Sequence, residues 1–423
     1  MLQINYIRQN TASVKDRLAI KNFADLSAID RILETDEQVR KLKTETESMQ
    51  ASINTASKEI GILMSKGEKA AAETQKQEVA GHKNTLQILG QQLADTEKLL
   101  QDELVKLPNL PHRSVPKGKT PEENEIVREG GIKPTLPSTA LPHWDLIKQY
   151  DIVDFEAGAK LTGSGFPLYK GKGALLQRAL TRYFLDYNTG EGYTEYLPPL
   201  MVNEASAYGT GQLPDKEGQM YHAVADNFYL IPTSEVPLTN IYRDEIIKET
   251  DLPLKMTAFT PCFRREAGSF GSDVRGLNRV HQFDKVEIVQ IVHPDKSYDV
   301  LEEMVSHVER LLQSLELPYR ILRLCGGDMS FASALTYDFE VYSAAQKKWL
   351  EVSSVSNFET FQTNRMKVRF RDNDNKTQLL HSLNGSSLAL PRIVACLLEN
   401  NQGEKGINLP NILHSYFGGT TIH

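Results

Sequence analysis

Apolar positions recur along residues 39–100 in alternating steps of three and four. Val39, Leu42, Thr46, Met49, Ile53, Ala56, Ile60 and Leu63 form one track, and Val79, His82, Leu86, Leu89, Leu93, Thr96 and Leu100 a second. Such steps put every member on one seam of an α-helix. The stripe is narrow, with Lys41, Lys43, Glu45 and Glu47 on the other faces of the first track and Lys76, Gln77 and Glu78 before the second. A helix with so thin a stripe buries little except against a partner of its own kind. Ser65-Lys66-Gly67 breaks the pattern between two equal halves, and a glycine there suits a reversal of the chain. The pattern predicts two helices of roughly 35 residues, each about 50 Å long, folded back as an antiparallel hairpin. A coiled coil between two chains satisfies the same heptads, but the central break favours the hairpin.

Between Leu104 and Pro142 the chain changes character. Pro108, Pro111, Pro116, Pro121, Pro134, Pro137 and Pro142 punctuate it, which disfavours continued helix and reads as a linker. From His143 onward, period-two runs such as His281 to Val289 alternate with helical patterns such as Asp299 to Leu315. The expected organisation is an N-terminal domain over 1–110 with its coiled-coil arm at about 30–102, a Pro-rich linker over 111–142, and a mixed α/β domain over 143–423.

Composition narrows the class. The 423 residues are 40% hydrophobic, 24% charged and 8% aromatic, as in an ordinary globular protein. The start MLQINYIRQN has no long apolar run behind a basic cluster, so no signal peptide is expected. Charges interrupt every candidate membrane span, and the expectation is a soluble, cytoplasmic protein. Cys262, Cys325 and Cys396 show no paired spacing, which suggests neither a disulfide framework nor a zinc site. A net charge of −7 argues against non-specific binding of nucleic acid, so an RNA partner must be held by a local surface and by shape.

Chemistry concentrates at Phe263-Arg264-Arg265-Glu266-Ala267-Gly268, followed by Ser269 to Arg279 and then His281-Gln282-Phe283-Asp284-Lys285-Val286-Glu287. Two strand-like segments flank a loop with Gly268, Gly271 and Gly276, plus Arg275 and Arg279. Arginine on a fixed backbone is a fork for phosphate oxygens, and a glycine loop with further arginines can close over a polyphosphate. Taken alone, an Arg/Glu cluster is more often a surface salt-bridge network. Neither GxGxxG nor GxxxxGK[ST] occurs, so a nucleotide here must be held by arginine and metal rather than by a P-loop.

The segment FRREAGSFGSDVRGLNRVHQFDKVE resembles motif 2 of class II aminoacyl-tRNA synthetases, in the form found in seryl-tRNA synthetases. The resemblance runs over nearly the whole chain. GYTEYLPPLMVN (192–203) is similar to motif 1, with Pro199 at a dimer interface. YLIPTSEVPLTN (229–240) is similar to the serine-pocket segment, LEVSSVSNFETFQTNR (350–365) to the metal and ATP strand, and LNGSSLALPRIVACLLENNQ (383–402) to motif 3. The hairpin matches the family's tRNA-binding arm. The resemblance implies an α+β fold: a helical-hairpin arm plus an antiparallel catalytic sheet flanked by helices.

It also implies roles. Arg264 binds the α-phosphate and Arg392 covers the adenine and reaches the γ-phosphate, these two being the catalytic pair. Glu266 reads the adenine edge and Phe283 stacks on its face, while Arg265 and Arg279 join the ATP group. Glu351, Val352, Ser353 and Ser354 line the ATP strand, with Glu351 and Ser354 as Mg²⁺ ligands and no zinc. Without the resemblance, a carboxylate beside serines on a strand reads as a solvated face. Thr233, Ser234 and Glu235 form the amino-acid end, Glu287 accepts the substrate hydroxyl, and Asn384 and Ser386 close the pocket. His281 reads as a structural histidine. The implied substrates are ATP, L-serine, tRNA(Ser) and also tRNA(Sec), and the implied assembly is a homodimer through motif 1.

Ten Lys or Arg lie within residues 31–98, interleaved with acids; shape and backbone contacts suit such a surface. Phe358, Thr363-Asn364, Pro391 and Arg265 depart from the family pattern, and Pro391 is tolerable only in the first turn of a helix. Two rival readings are a paralogue that loads a carrier protein, disfavoured by the long arm, and a catalytically inactive RNA-binding homologue, disfavoured by Arg264, Glu351 and Arg392.

Overall fold

The computed structural model describes the chain except residue 216, residues 267–274 and residue 373. It divides into two compact units, one of Met1–Ala19 and Phe23–Pro108, the other of Ile20–Asn22 and Asn109–His423.

The first unit is built on helices α1 (Ala28–Ser65) and α2 (Lys69–Leu104). Every residue of the two predicted heptad tracks is at least partly buried, and Val39, Ile53, Val79 and Leu100 are the most enclosed. The seam also extends two turns further toward the reversal, through Gln75 and Ala72. The hairpin is intramolecular: the Gln75 amide of α2 donates to Glu59 of α1 at 2.6 Å. Gly67 makes the reversal at φ +81°, a conformation costly to a residue with a Cβ. The Glu68 N–H then returns to the Leu63 carbonyl at 3.0 Å, closing the helix end. At the base, Asp36 is buried between Arg8 and Arg40, each at 3.1 Å.

The second unit is organised by an eight-stranded sheet. Its strands are β1 (Glu125–Gly130), β2 (Thr194–Glu195), β3 (Leu254–Phe263), β4 (Gln282–Val292), β5 (Tyr319–Arg323), β6 (Leu335–Ser343), β7 (Lys348–Asn357) and β8 (His381–Ala389). Their spatial order is β1-β5-β6-β7-β8-β4-β3-β2, and every pairing is antiparallel except β2 with β3. Strand β1 falls within the Pro-rich stretch 111–142, in the proline-free interval between Pro121 and Pro134 where every residue can donate to a ladder.

One face of the sheet is covered by α3 (Lys172–Gly190), α5 (Ser297–Ser314) and α7 (Leu390–Asn400). Leu176 and Leu180 of α3, Leu301 and Val308 of α5, and Ile393 and Leu397 of α7 share one core with Val286 and Ile288 of β4 and Val352 and Val355 of β7. These strands alternate, so their other residues point away from the helices. Two short helices, α4 (Glu235–Asn240) and α6 (Phe361–Met366), supply further side chains near that opposite face. Among the described residues no helix is long and apolar enough to cross a membrane.

Candidate active site

Strand β4 presents Phe283, Lys285 and Glu287 on the face opposite the helix layer, because Val286 and Ile288 are committed to the core. Glu287 stands opposite Ala258 of β3 on one side and Ser386 of β8 on the other. The small Ala258 leaves room beside the carboxylate, and Ser386 brings a hydroxyl next to it. Glu287 is almost fully buried. Burial pushes its carboxyl up, and the ammonium of Lys285, 2.5 Å away, opposes that.

Thr233, Ser234 and Glu235 enter the same region from the turn that begins α4, and all three are buried. The Glu235 N–H donates to Thr233 Oγ1 at 3.2 Å. The Gln362 amide of α6 donates to Glu235 Oε1 at 2.6 Å, and Gln362 Oε1 accepts from Ser382 at 2.7 Å. Burial raises the Glu235 carboxyl to about 7; the like charge of Glu287 adds to this, while Gln362, Lys285 and Asn384 oppose it. The Ser234 hydroxyl is buried and finds no hydrogen-bond partner among the described residues. The structure thus brings Thr233, Glu235, Glu287, Asn384 and Ser386 together from three separate stretches of chain, with Ser234 buried in the same turn as Thr233 and Glu235.

Arg264 lies one residue beyond β3 rather than within it. Its backbone is fixed all the same: its N–H donates to the His281 carbonyl at 2.9 Å, and its own carbonyl is 3.0 Å from His281 Nδ1. Its Nε donates to the Pro232 carbonyl at 3.3 Å, and its guanidinium lies 5.2 Å from the Phe283 ring centroid. Arg264 and Phe283 therefore share one face beside Glu287. The Arg265 guanidinium lies over the Tyr221 ring, 5.6 Å from its centroid. Glu266 pairs with Arg279 at 2.7 Å, and Arg275 stacks on Trp144 at 4.6 Å. Gly268 and Gly271 lie outside the described residues. Gly276 is described, at φ +65°.

Arg392 occupies the first turn of α7, and Pro391 just before it sits where its missing N–H costs nothing. Its Nε donates to the Asn278 carbonyl at 2.8 Å and its Nη1 to the Glu351 carbonyl at 2.7 Å. One guanidinium thus bridges the far stem of the glycine loop and strand β7. Phe358 is buried, and the Thr363 hydroxyl donates to the Leu380 carbonyl at 2.6 Å, so these two departures from the family pattern serve packing.

On β7, three residues of separation should place Glu351 and Ser354 on opposite faces. They share one instead. Ser354 pairs with Asp338 and Glu351 with Glu340, because Val352 is an extra residue bulged out of the ladder. Val352 turns its side chain into the core, so only its backbone is available to a ligand. The Ser353 hydroxyl donates to the Ser386 carbonyl at 2.6 Å, tying β7 to β8. A half-exposed carboxylate and a hydroxyl on one face are the hard oxygen donors that Mg²⁺ takes, with its remaining positions open to phosphate and water. Among the described residues no group of three or more His, Cys, Asp or Glu side chains is placed to hold a metal.

Comparison with known proteins gives the family. Residues 1–111 match the model of the seryl-tRNA synthetase N-terminal domain, and residues 221–401 match that of the class II tRNA synthetase core domain (G, H, P, S and T). The serine–tRNA ligase of Salinibacter ruber is 48% identical over 424 residues, covering 100% of this chain and 99% of that protein. The chain belongs to the seryl-tRNA synthetase family. Among solved structures of the family, the Pyrococcus horikoshii enzyme complexed with ATP superposes with a TM-score of 0.93 at 33% identity, covering 100% of this chain and 99% of that one. The Naegleria fowleri cytoplasmic enzyme in complex with AMP gives 0.88 at 26%, covering 100% and 98%. The expected seryl-tRNA synthetase architecture, a helical hairpin plus an antiparallel sheet flanked by helices, is the one observed.

Two residues of the pocket escape sequence reasoning. Gln362 reaches Glu235 across a separation of 127 residues, and nothing in its own neighbourhood marks it. Lys285 carried a signal, since it alternates in phase with Phe283 and Glu287.

Proposed function

We propose that this chain is a serine–tRNA ligase that activates L-serine with ATP and transfers it to the 3′ end of tRNA(Ser), and also to tRNA(Sec). The observation that carries the reading is the joining of Glu287 and Ser386, paired across strands, to Arg264 on the same face of the sheet. A carboxylate and a hydroxyl that would meet a substrate hydroxyl thus adjoin a guanidinium that would meet a phosphate.

In the first step a carboxylate oxygen of serine attacks the α-phosphorus of ATP, the bond to the bridging oxygen breaks, and pyrophosphate leaves. Arg264 stabilises the charge that builds on the α-phosphoryl oxygens, and its preorganised backbone spares reorganisation as the charge forms. Phe283 offers its ring to one face of the adenine, Arg392 lies over the other and reaches the γ-phosphate, and Glu266 reads the base edge, released for that task from Arg279. Glu351 and Ser354 would hold Mg²⁺, which supplies charge neutralisation of the phosphates. In the second step a terminal ribose hydroxyl of tRNA attacks the adenylate carbonyl, its proton leaves, and AMP departs. No side chain acts as nucleophile; positioning and charge carry the rate.

Glu235 takes the substrate ammonium and Glu287 accepts the hydroxyl hydrogen. Alanine leaves that buried acceptor unpaired, at a cost of order 10⁴-fold at most. Threonine must be refused by crowding.

We further infer that residues 1–110 form the tRNA-binding domain, that 111–142 connect it to a catalytic domain over 143–423, and that the protein works in the cytoplasm as a homodimer. The exposed Leu197, Leu200 and Met201, with Pro198 and Pro199 among them, form an apolar run that a second copy would cover.

The test is amino-acid-dependent ATP–pyrophosphate exchange across all twenty amino acids with Mg²⁺ present. Serine alone should support it. Exchange with threonine equal to that with serine would refute the pocket assignment.

A further inference from the structure

Lys285 has no role in the chemistry above, yet it lies at the centre of the pocket. It is 5% exposed on β4, opposite Thr260 of β3. Its Nζ lies 2.5 Å from Glu287 Oε2 and donates to Thr233 Oγ1 at 2.9 Å. One ammonium therefore joins the strand that carries Glu287 to the turn that carries Thr233 and Glu235.

The charges around Glu287 can be counted. Lys285 and, further off, Arg264 oppose its protonation; Glu235 of α4 and the buried Cys262 thiol of β3 also face it, and Thr233 offers a hydroxyl. A buried carboxylate without a cation takes up a proton. A protonated Glu287 would present a donor where the substrate hydroxyl needs an acceptor. With Lys285 matched to Glu287, the second acid, Glu235, is left for one incoming ammonium.

We propose that Lys285 is a positioning residue that determines amino-acid specificity: its ammonium holds Glu287 ionised and turned toward the substrate hydroxyl, and through Thr233 it locks the hydroxyl-reading strand to the ammonium-reading turn. This rests on the function proposed above.

The test uses the full-length protein in serine-dependent ATP–pyrophosphate exchange from pH 6 to 9.5. Lys285→Met should lose about 100-fold in kcat/KM for serine at pH 7, with the KM for ATP changed less than about threefold. The sign of the pH effect follows from the charge removed. Without Lys285 the Glu287 carboxyl titrates higher, the ionised form is the active one, and the ratio of kcat/KM for serine in the variant to that in the parent should climb by up to about tenfold per pH unit while Glu287 remains protonated. Lys285→Arg keeps the cation and should keep the parent's profile with a smaller loss. In Lys285→Met/Glu287→Gln the climb of kcat/KM itself should shrink to the part that Glu235 gives the parent as well. A pH-independent loss in Lys285→Met, or one falling equally on ATP, overturns the proposal and leaves Lys285 a packing residue.

Should Lys285→Met be recovered unfolded, the infrared difference between the parent and Glu287→Gln decides. A carboxylate band at about pH 6.5 supports the proposal, and a protonated carboxyl band overturns it. A parent without serine-dependent exchange would sink the functional reading itself; an active parent whose pH profile is no shallower than that of Lys285→Met sinks only this inference.

Discussion

Replacing Glu235 by glutamine should make the protein more stable and its amino-acid activation far worse, with the stability gain dependent on pH. Glu235 is 6% exposed, and burial, reinforced by the like charge of Glu287, holds its carboxyl at about 7 against an ordinary 4.5. At about 1.36 kcal/mol per pH unit, that difference corresponds to ~3 kcal/mol of penalty on the ionised form in the folded state. The folded protein therefore binds more protons than the unfolded chain between the two values, so its stability falls as pH rises through that window. Glutamine cannot ionise and escapes the penalty, while its side-chain oxygen still accepts from the Gln362 amide. The stability of Glu235→Gln relative to the parent should thus be constant below about pH 4.5, rise between there and 7, and level off ~3 kcal/mol higher. Urea unfolding at pH 4.5, 6 and 8 reads it. Pyrophosphate exchange on the same samples should show a serine KM raised by about 100-fold, because the substrate ammonium loses its partner. Serine should also raise the parent's melting temperature more at pH 8 than at pH 6, as only the ionised acid takes an ammonium. A stability difference between variant and parent that does not change with pH refutes the reasoning, since Glu235 would then carry no buried charge.

Other consequences are open to direct measurement. Arg264→Ala should lower kcat for exchange by about 10²–10³-fold with an unchanged circular dichroism spectrum, as expected for loss of one preorganised contact to a transition-state charge. Deleting residues 35–100 should leave serine activation close to the parent's and cripple tRNA charging, read by exchange and aminoacylation side by side. Gly67→Ala, at φ +81°, should cost about 1 kcal/mol in the unfolding of the hairpin. Leu197→Asp should shift the protein from dimer to monomer in sedimentation without unfolding it.

The hairpin was legible because a two-helix seam leaves a narrow, regular stripe, and each residue assigned to it is shielded. The phase of β4 was legible for a related reason: one face must bury Val286 and Ile288, so Phe283 and Glu287 are forced to the other. What escaped was everything that breaks a period or spans a long loop. The bulge at Val352 leaves no local signature, yet it brings Glu351 and Ser354 to one face. Gln362 belongs to the pocket only because a short helix is packed beside Glu235.

The hairpin leaves and re-enters its base at neighbouring points, where Arg31 of α1 lies 4.0 Å from Glu103 of α2. Its reach is consequently a ruler that can be recut without touching the rest of the chain. Seven residues added to each limb at facing levels lengthen it by about 10 Å and restore the seam. Seven added to one limb alone throw every later layer out of step. Changes in the length of the hairpin must therefore come in matched pairs.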